Sequence, residues 1–171
     1  VSLSSSGSIL AVGAQNNDGN GGNSGHVRIF EYGGGSWSQL GSDIDGEAAG
    51  DNSGMSVSIN GDGTIVAIGA YSNDDAALHA GHVRVYEYSS GSWSQLGADI
   101  DGQAITNDNF GYSVSINSGG ETMVVGARQS YSGQRFGYVQ MYHYSSGSWA
   151  QVGSRLSGSN YEDYAGSAVA I

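Results

Sequence analysis

The chain has no cysteine, no proline and no lysine among its 171 residues. Without cysteine there is neither a disulfide framework nor a thiolate metal site, and redox compartment leaves no mark on the composition. Without lysine, five arginines (28, 84, 128, 135 and 155) face 16 acidic residues, a formal net charge of −11. Nucleic acid is therefore not an expected partner, because neutralising phosphates takes basic side chains in number. Nothing approaches the roughly 20 apolar residues of a bilayer-spanning helix, so membrane insertion is not expected. No N-x-[ST] sequon occurs either, which removes N-glycosylation as a clue to compartment. There is no G-x-S-x-G elbow, no H-E-x-x-H and no P-loop, and the chain reads as non-enzymatic.

What the chain does have is repetition. ILAVGA at 9–14, GHVRIFEY at 25–32, SWSQLG at 36–41 and DIDGEAAGDNSG at 43–54 return as IVAIGA at 65–70, GHVRVYEY at 81–88, SWSQLG at 92–97 and DIDGQAITNDNFG at 99–111. A looser third copy has MVVGA at 123–127, GYVQMYHY at 137–144, SWAQVG at 148–153 and RLSGSNYEDYAG at 155–166. Trp37, Trp93 and Trp149 stand 56 residues apart, and insertions fall only in connecting loops. Self-similarity at such a period marks an array of supersecondary units, none of which buries its apolar surface alone.

Each unit reads as four strands. A first strand (VSL at 1–3, MSVSI at 55–59, YSVSI at 112–116) passes through a glycine turn such as NGDG at 60–63 into the IVAIGA strand, a hairpin pattern. The second strand is apolar at successive positions, which predicts burial of both its faces. The third alternates, with Val83 and Val85 on one side and His82, Arg84, Tyr86 and Tyr88 on the other; the fourth, SWSQLG, is short and polar. Four short strands with two apolar faces suit a blade held between two other blades. The expected fold is therefore all-β, built of β-propeller blades: three four-stranded repeats of about 56 residues over 1–53, 54–110 and 111–165, with 166–171 as the first strand of a fourth repeat. Propellers close with four to eight blades, so the expectation is part of a longer propeller, or a ring completed by a homo-oligomer. A β-trefoil is the alternative.

Phe110-Gly111-Tyr112-Ser113 followed by Val125-Gly126-Ala127-Arg128 resembles the FG-GAP repeat, which builds the integrin α-subunit propeller. The resemblance implies an extracellular or cell-surface protein that acts in adhesion, with a protein or glycan ligand. It also implies calcium in the turn between the first two strands. The equivalent turns here are Ser4-Ser5-Ser6-Gly7, Asn60-Gly61-Asp62-Gly63 and Asn117-Ser118-Gly119-Gly120, and only Asp62 supplies a carboxylate. Calcium takes six to eight oxygens, so these turns are poor sites for it.

Charge density points elsewhere. The acidic connector Asp43, Asp45, Glu47, Asp51 recurs as Asp99, Asp101, Asp108, and Asp18 and Asp74-Asp75 lie in oxygen-rich loops between second and third strands. Asp18, Asp43, Asp45, Asp62, Asp99 and Asp101 are the candidate ligands for a cation, calcium being the cofactor they suit; solvated loops are the competing reading. His26 and His82 recur in two copies, but Tyr138 replaces them in the third, which favours packing over metal binding. The tryptophans read as packing between blades, with sugar stacking as the alternative. Phe110, Gly111, Gly126 and Ala127 belong to the structural repeat. Arg128, Tyr131 and Arg135, where copy three departs from the others, are the candidate ligand contacts.

Overall fold

Second strands made of consecutive apolar residues need cover on both sides, and the fold supplies it by stacking antiparallel sheets face to face. A computed structural model describes residues 1–129 and 136–171. All of its regular elements are strands, and none of the described residues forms a helix long and apolar enough to cross a membrane. Blade 1 contains β1 (Ser2–Leu3), β2 (Ile9–Ala14), β3 (His26–Gly33), β4 (Ser36–Gln39) and β5 (Ile44–Asp45). Blade 2 contains β6 (Ser56–Ile59), β7 (Ile65–Ala70), β8 (His82–Ser89), β9 (Ser92–Gln95) and β10 (Ile100–Asp101). Blade 3 contains β11 (Phe110–Ile116), β12 (Thr122–Ala127), β13 (Tyr138–Ser145) and β14 (Ser148–Ser157).

Strand order is sequential in every sheet, and all ladders are antiparallel. The fourth position is broken in blades 1 and 2, where β4 and β5, or β9 and β10, each pair with the same third strand. In blade 3 it is the continuous β14, with a register shift opposite Val139 and Met141. Three separate sheets, each closed within one repeat, are propeller blades. A trefoil would instead pair strands of different repeats in one barrel. The division expected at 110/111 cuts β11 after its first residue.

Two cores lie between the blades. Ile9, Ala11, Val27 and Ile29 of blade 1 meet Ile59, Val66, Ile68 and Tyr86 of blade 2. Ala67, Val83, Val85 and Ile100 of blade 2 meet Phe110, Val114, Met123 and Val125 of blade 3. Alternate residues of β7 thus enter different cores, which is why that strand has no polar face. The third strands show the same effect: Arg84, in the middle blade, is 6% exposed, whereas Arg28 of blade 1 is solvent-exposed.

Three recurrent contacts set the spacing between blades. Glycine meets glycine first: a Cβ on Gly13, Gly69 or Gly126 would lie 2.1, 2.0 or 2.1 Å from the carbonyl oxygen of Gly54, Gly111 or Gly166. Those partners have φ of 85°, 80° and 83°, a left-handed conformation that glycine adopts without strain. Serines of the first strands then bridge the inner edges. Ser56 Oγ donates to the Gly111 carbonyl and Ser113 Oγ to that of Gly166, both at 2.8 Å, while Ser2 and Ser58 Oγ accept from the Ile59 and Ile116 amides, both at 3.0 Å. At the outer edge, Trp93 Nε1 donates to the Leu40 carbonyl (2.8 Å) and Trp149 Nε1 to that of Leu96 (2.9 Å), so each indole pins its blade to the one before. Trp37 packs on Tyr32 in its own sheet and is 44% exposed.

Residues 166–171 form no strand, since no second strand lies beside them to complete a ladder. They nevertheless repeat the inner-edge contacts: Gly126 abuts Gly166, and the Ile171 amide donates to Ser115 Oγ at 3.1 Å.

Gly69→Ala is expected to cost about 3 kcal/mol or more in urea unfolding, because two backbones must separate to admit the methyl group. Gly33→Ala, whose Cβ would meet nothing within 4 Å, is expected to stay within about 0.5 kcal/mol of the parent. Trp93→Phe strands the Leu40 carbonyl and is expected to lower stability by about 1–2 kcal/mol. Trp37→Phe, measured the same way, is expected to change it by less than about 0.5 kcal/mol.

Candidate functional site

The loops that join second to third strands in blades 1 and 2, and the connectors that lead into the next first strand, emerge at one end of the blades. They enclose a cleft of about 540 Å³ to which every blade contributes: Gln15 from blade 1, Tyr71 and His79 from blade 2, Tyr112 and Arg128 from blade 3. Its frame is held by asparagines in the left-handed region. Asn52 (φ 55°) donates from Nδ2 to the Gln15 carbonyl at 3.3 Å, and Asn109 (φ 54°) to the Tyr71 carbonyl at 3.4 Å. Arg128 lies 5.1 Å over the Tyr112 ring and 5.0 Å over that of Tyr164, and its Nη1 donates to Tyr112 Oη at 3.1 Å. Tyr71 meets Tyr112 edge to face at 5.8 Å, so a guanidinium and two phenols form one wall. Of the three contacts expected from sequence, Arg128 is in this cleft; Tyr131 and Arg135 lie outside the described residues.

The acidic residues divide by what their oxygens already do. Asp108, fully buried, accepts from the Gln103 amide (2.9 Å), Gln103 Nε2 (3.4 Å), Gln129 Nε2 (2.9 Å) and Tyr138 Oη (2.6 Å). Asp51 caps the equivalent loop by accepting from the Ala48 amide at 3.0 Å. Both act in folding the connectors. Asp18 Oδ1 closes its own loop by accepting from the Asn23 amide at 2.7 Å. Burial pushes the Asp101 carboxyl above its ordinary value.

The turns implied by resemblance do not fit calcium. Asp62 Oδ1 accepts from both Thr64 Oγ1 (2.6 Å) and the Thr64 amide (3.1 Å), bonds that hold its carboxyl below the usual range. Asn60 Oδ1 accepts from the Thr64 and Ile65 amides, both at 2.9 Å. The turn's oxygens are thus spent on the turn itself.

Two groups of side chains do converge. In blade 1, His26 Nδ1 lies 3.5 Å from Asp43 Oδ2 and 4.0 Å from Asp45 Oδ1. Between blades 1 and 2, Glu47, Asp75, His82 and Asp99 each bring a ligand-type atom within 4.8 Å of the others. Glu47 reaches across from the connector of blade 1, its Oε2 3.8 Å from His82 Nδ1 and its Oε1 3.3 Å from Arg84 Nη1. Burial, and after it the Arg84 guanidinium, pushes His82 below its ordinary pKa. Among the expected cation ligands only Asp99 belongs to this second group. Asp75, His82 and Asp99 all belong to blade 2, and only the stacking of two blades brings Glu47 to them.

Residues 43–86, from the connector of blade 1 to the third strand of blade 2, match the model of the FG-GAP repeat family. That stretch is similar to an FG-GAP repeat. No curated protein matches it. Among solved structures, the chain is similar to one from Bacteroides uniformis described as a "putative 6-phosphogluconolactonase", at 14% identity over 91% of this chain and 39% of that one, with a TM-score of 0.59. It is also similar to the periplasmic gluconolactonase of Pseudomonas aeruginosa, at 15% identity over 84% of this chain and 36% of that one, with a TM-score of 0.48. The chain thus spans about two fifths of the length of these structures. The first likeness supports the propeller fold.

The FG-GAP pattern has a mechanical meaning here. The glycine of Phe110-Gly111 and the glycine of Gly69-Ala70 in the preceding blade are the two halves of one contact. Phe110, 1% exposed, anchors the same junction in the core between blades 2 and 3.

Asp108→Ala would leave the Tyr138 hydroxyl, the Gln129 amide and the Gln103 backbone amide unsatisfied at a buried site, and is expected to cost about 3–5 kcal/mol in denaturant unfolding. Asp163→Ala, whose exposed carboxylate accepts from the Ser159 and Asn160 amides, is expected to shift the unfolding midpoint far less in the same measurement.

Proposed function

We propose that the chain is a non-enzymatic interaction module that works outside the cell and binds a protein ligand through the cleft shared by its three blades. The observation that carries the reading is Arg128. Stacked between Tyr112 and Tyr164, the guanidinium is pre-organised as a fork of N–H donors for a carboxylate or carbonyl of a partner. Tyr71 and Tyr112 add flat amphipathic surface of the kind that anchors protein interfaces.

The lining of the cleft lacks a nucleophile held by a base among its described residues. His79 Nδ1 faces the Ser72 carbonyl at 3.3 Å, and a carbonyl oxygen is no nucleophile to activate. The gluconolactonase names belong to the two solved structures. At 14–15% identity they bring no activity to this chain. A glycan ligand has weaker support, since Trp93 and Trp149 spend their indole N–H groups on neighbouring blades. Extracellular placement rests on the FG-GAP repeat, whose resemblance is to adhesion proteins.

Further blades would complete the ring. Trp37 on the outer face of blade 1, and Val152 (43% exposed) and Leu156 (74% exposed) on that of blade 3, occupy the positions of groups that are covered between blades. Those faces suit another repeat of the same kind, from a longer chain or a second copy.

An array of extracellular proteins probed with the chain is expected to give hits that Arg128→Ala weakens about tenfold or more, while a glycan array stays blank. Hydrolysis of 6-phosphogluconolactone above the buffer rate would overturn the non-enzymatic reading, and hits indifferent to Arg128→Ala would place the binding face elsewhere.

A further inference from the structure

A buried imidazole nitrogen between blades 1 and 2 has no partner. His82 is 1% exposed, and its Nδ1 makes no hydrogen bond although the Glu47 carboxylate of blade 1 lies beside it and the ring belongs to a group with Asp75 and Asp99. Buried polar atoms are almost always satisfied, so an orphan facing a group of potential ligands calls for something between them. Glu47 Oε2, at 3.8 Å, is too far to accept a hydrogen bond but lies at the separation of two ligands on one metal ion.

We propose that Glu47, Asp75, His82 and Asp99 bind a first-row divalent cation of the zinc class, which staples the connector of blade 1 to blade 2. Charge agrees with this: three carboxylates beside the Arg84 guanidinium leave two negative charges for a divalent ion to neutralise. Donor chemistry agrees as well, because an imidazole nitrogen among a few carboxylates suits zinc or its neighbours, whereas calcium takes a larger, all-oxygen shell. Asp99 is oriented from behind by Gln95, whose Nε2 donates to its Oδ1. Glu47 and Asp75 are exposed, which leaves the ion a way in.

The other two copies act as internal controls. At the junction of blades 2 and 3, Gln103, Tyr138 and Arg155 stand 56 residues beyond Glu47, His82 and Asp99, and each exchange removes a ligand or adds positive charge. There the side chains have protein partners instead: Tyr138 donates to Asp108, and Arg155 lies 5.1 Å over the Tyr138 ring. In blade 1, Gly19 stands where blade 2 has Asp75, and His26 is not among the orphaned atoms. The cation therefore belongs to one junction.

Calorimetric titration of the chelator-treated chain with ZnCl2 is expected to show one tight equivalent, and the His82 imidazole nitrogen resonance should move on saturation. Asp75→Asn and Asp99→Asn, both away from the core, should weaken that equivalent about tenfold or more while far-ultraviolet dichroism stays unchanged. Asp43→Asn, in the blade 1 group, should leave it as it is. The proposal fails if no saturable equivalent appears, if Asp43→Asn removes it and Asp75→Asn does not, or if CaCl2 binds equally tightly with the His82 resonance unmoved.

Discussion

Blade spacing in this chain depends on backbone touching backbone. Gly69 meets the Gly111 carbonyl directly, as Gly13 meets that of Gly54 and Gly126 that of Gly166, with Ser56 Oγ packed beside the Gly69 contact and Ser113 Oγ beside the Gly126 contact. A methyl group at any of these points would push two sheets apart along their inner edge. Everything else between the blades presupposes that distance. The serine hydroxyls reach the neighbouring first strand because the glycines let it come close, and the indoles reach the preceding Leu40 and Leu96 carbonyls at the opposite edge. Between these two lines of polar contacts, the valines and isoleucines of the second and third strands fill the cores.

The middle blade shows the consequence for polar side chains. On a surface sheet the alternate residues of β8 would face water, but here blade 1 covers them, so Arg84 is buried where Arg28 is not. A buried guanidinium needs partners, and it finds the Asp45 carbonyl at 2.8 Å and the Glu47 carboxylate at 3.3 Å. Polar chemistry between blades is thus a product of stacking, and each junction solves it with different residues. Blades 2 and 3 use a hydrogen-bonded knot around Asp108, while blades 1 and 2 collect an imidazole and three carboxylates.

Much of the architecture was legible in the residues. Period-two alternation in the third strands, unbroken apolar runs in the second and glycine turns between them prescribe four strands per unit, and three-fold recurrence prescribes stacking. The candidate sites were less legible. Asp18, Asp62 and Asp108 look alike as acidic loop residues, yet their oxygens are engaged by the Asn23 amide, by Thr64 and by a buried network respectively. His82 looked like packing because Tyr138 replaces it in copy three. The replacement accompanies Gln103 for Glu47 and Arg155 for Asp99, a joint change visible only when the junction is viewed as a unit.

By itself, the sequence determined the unit and its class: short strands whose apolar spacing and glycines admit little but tandem sheets, since those are local properties of the backbone and of side-chain period. The tertiary structure alone decided which loop residues meet. Glu47 and His82 are joined across a blade junction, and Gln15, Tyr71 and Arg128 across three blades, and such proximity depends on how far apart the sheets rest and how each is turned against the next.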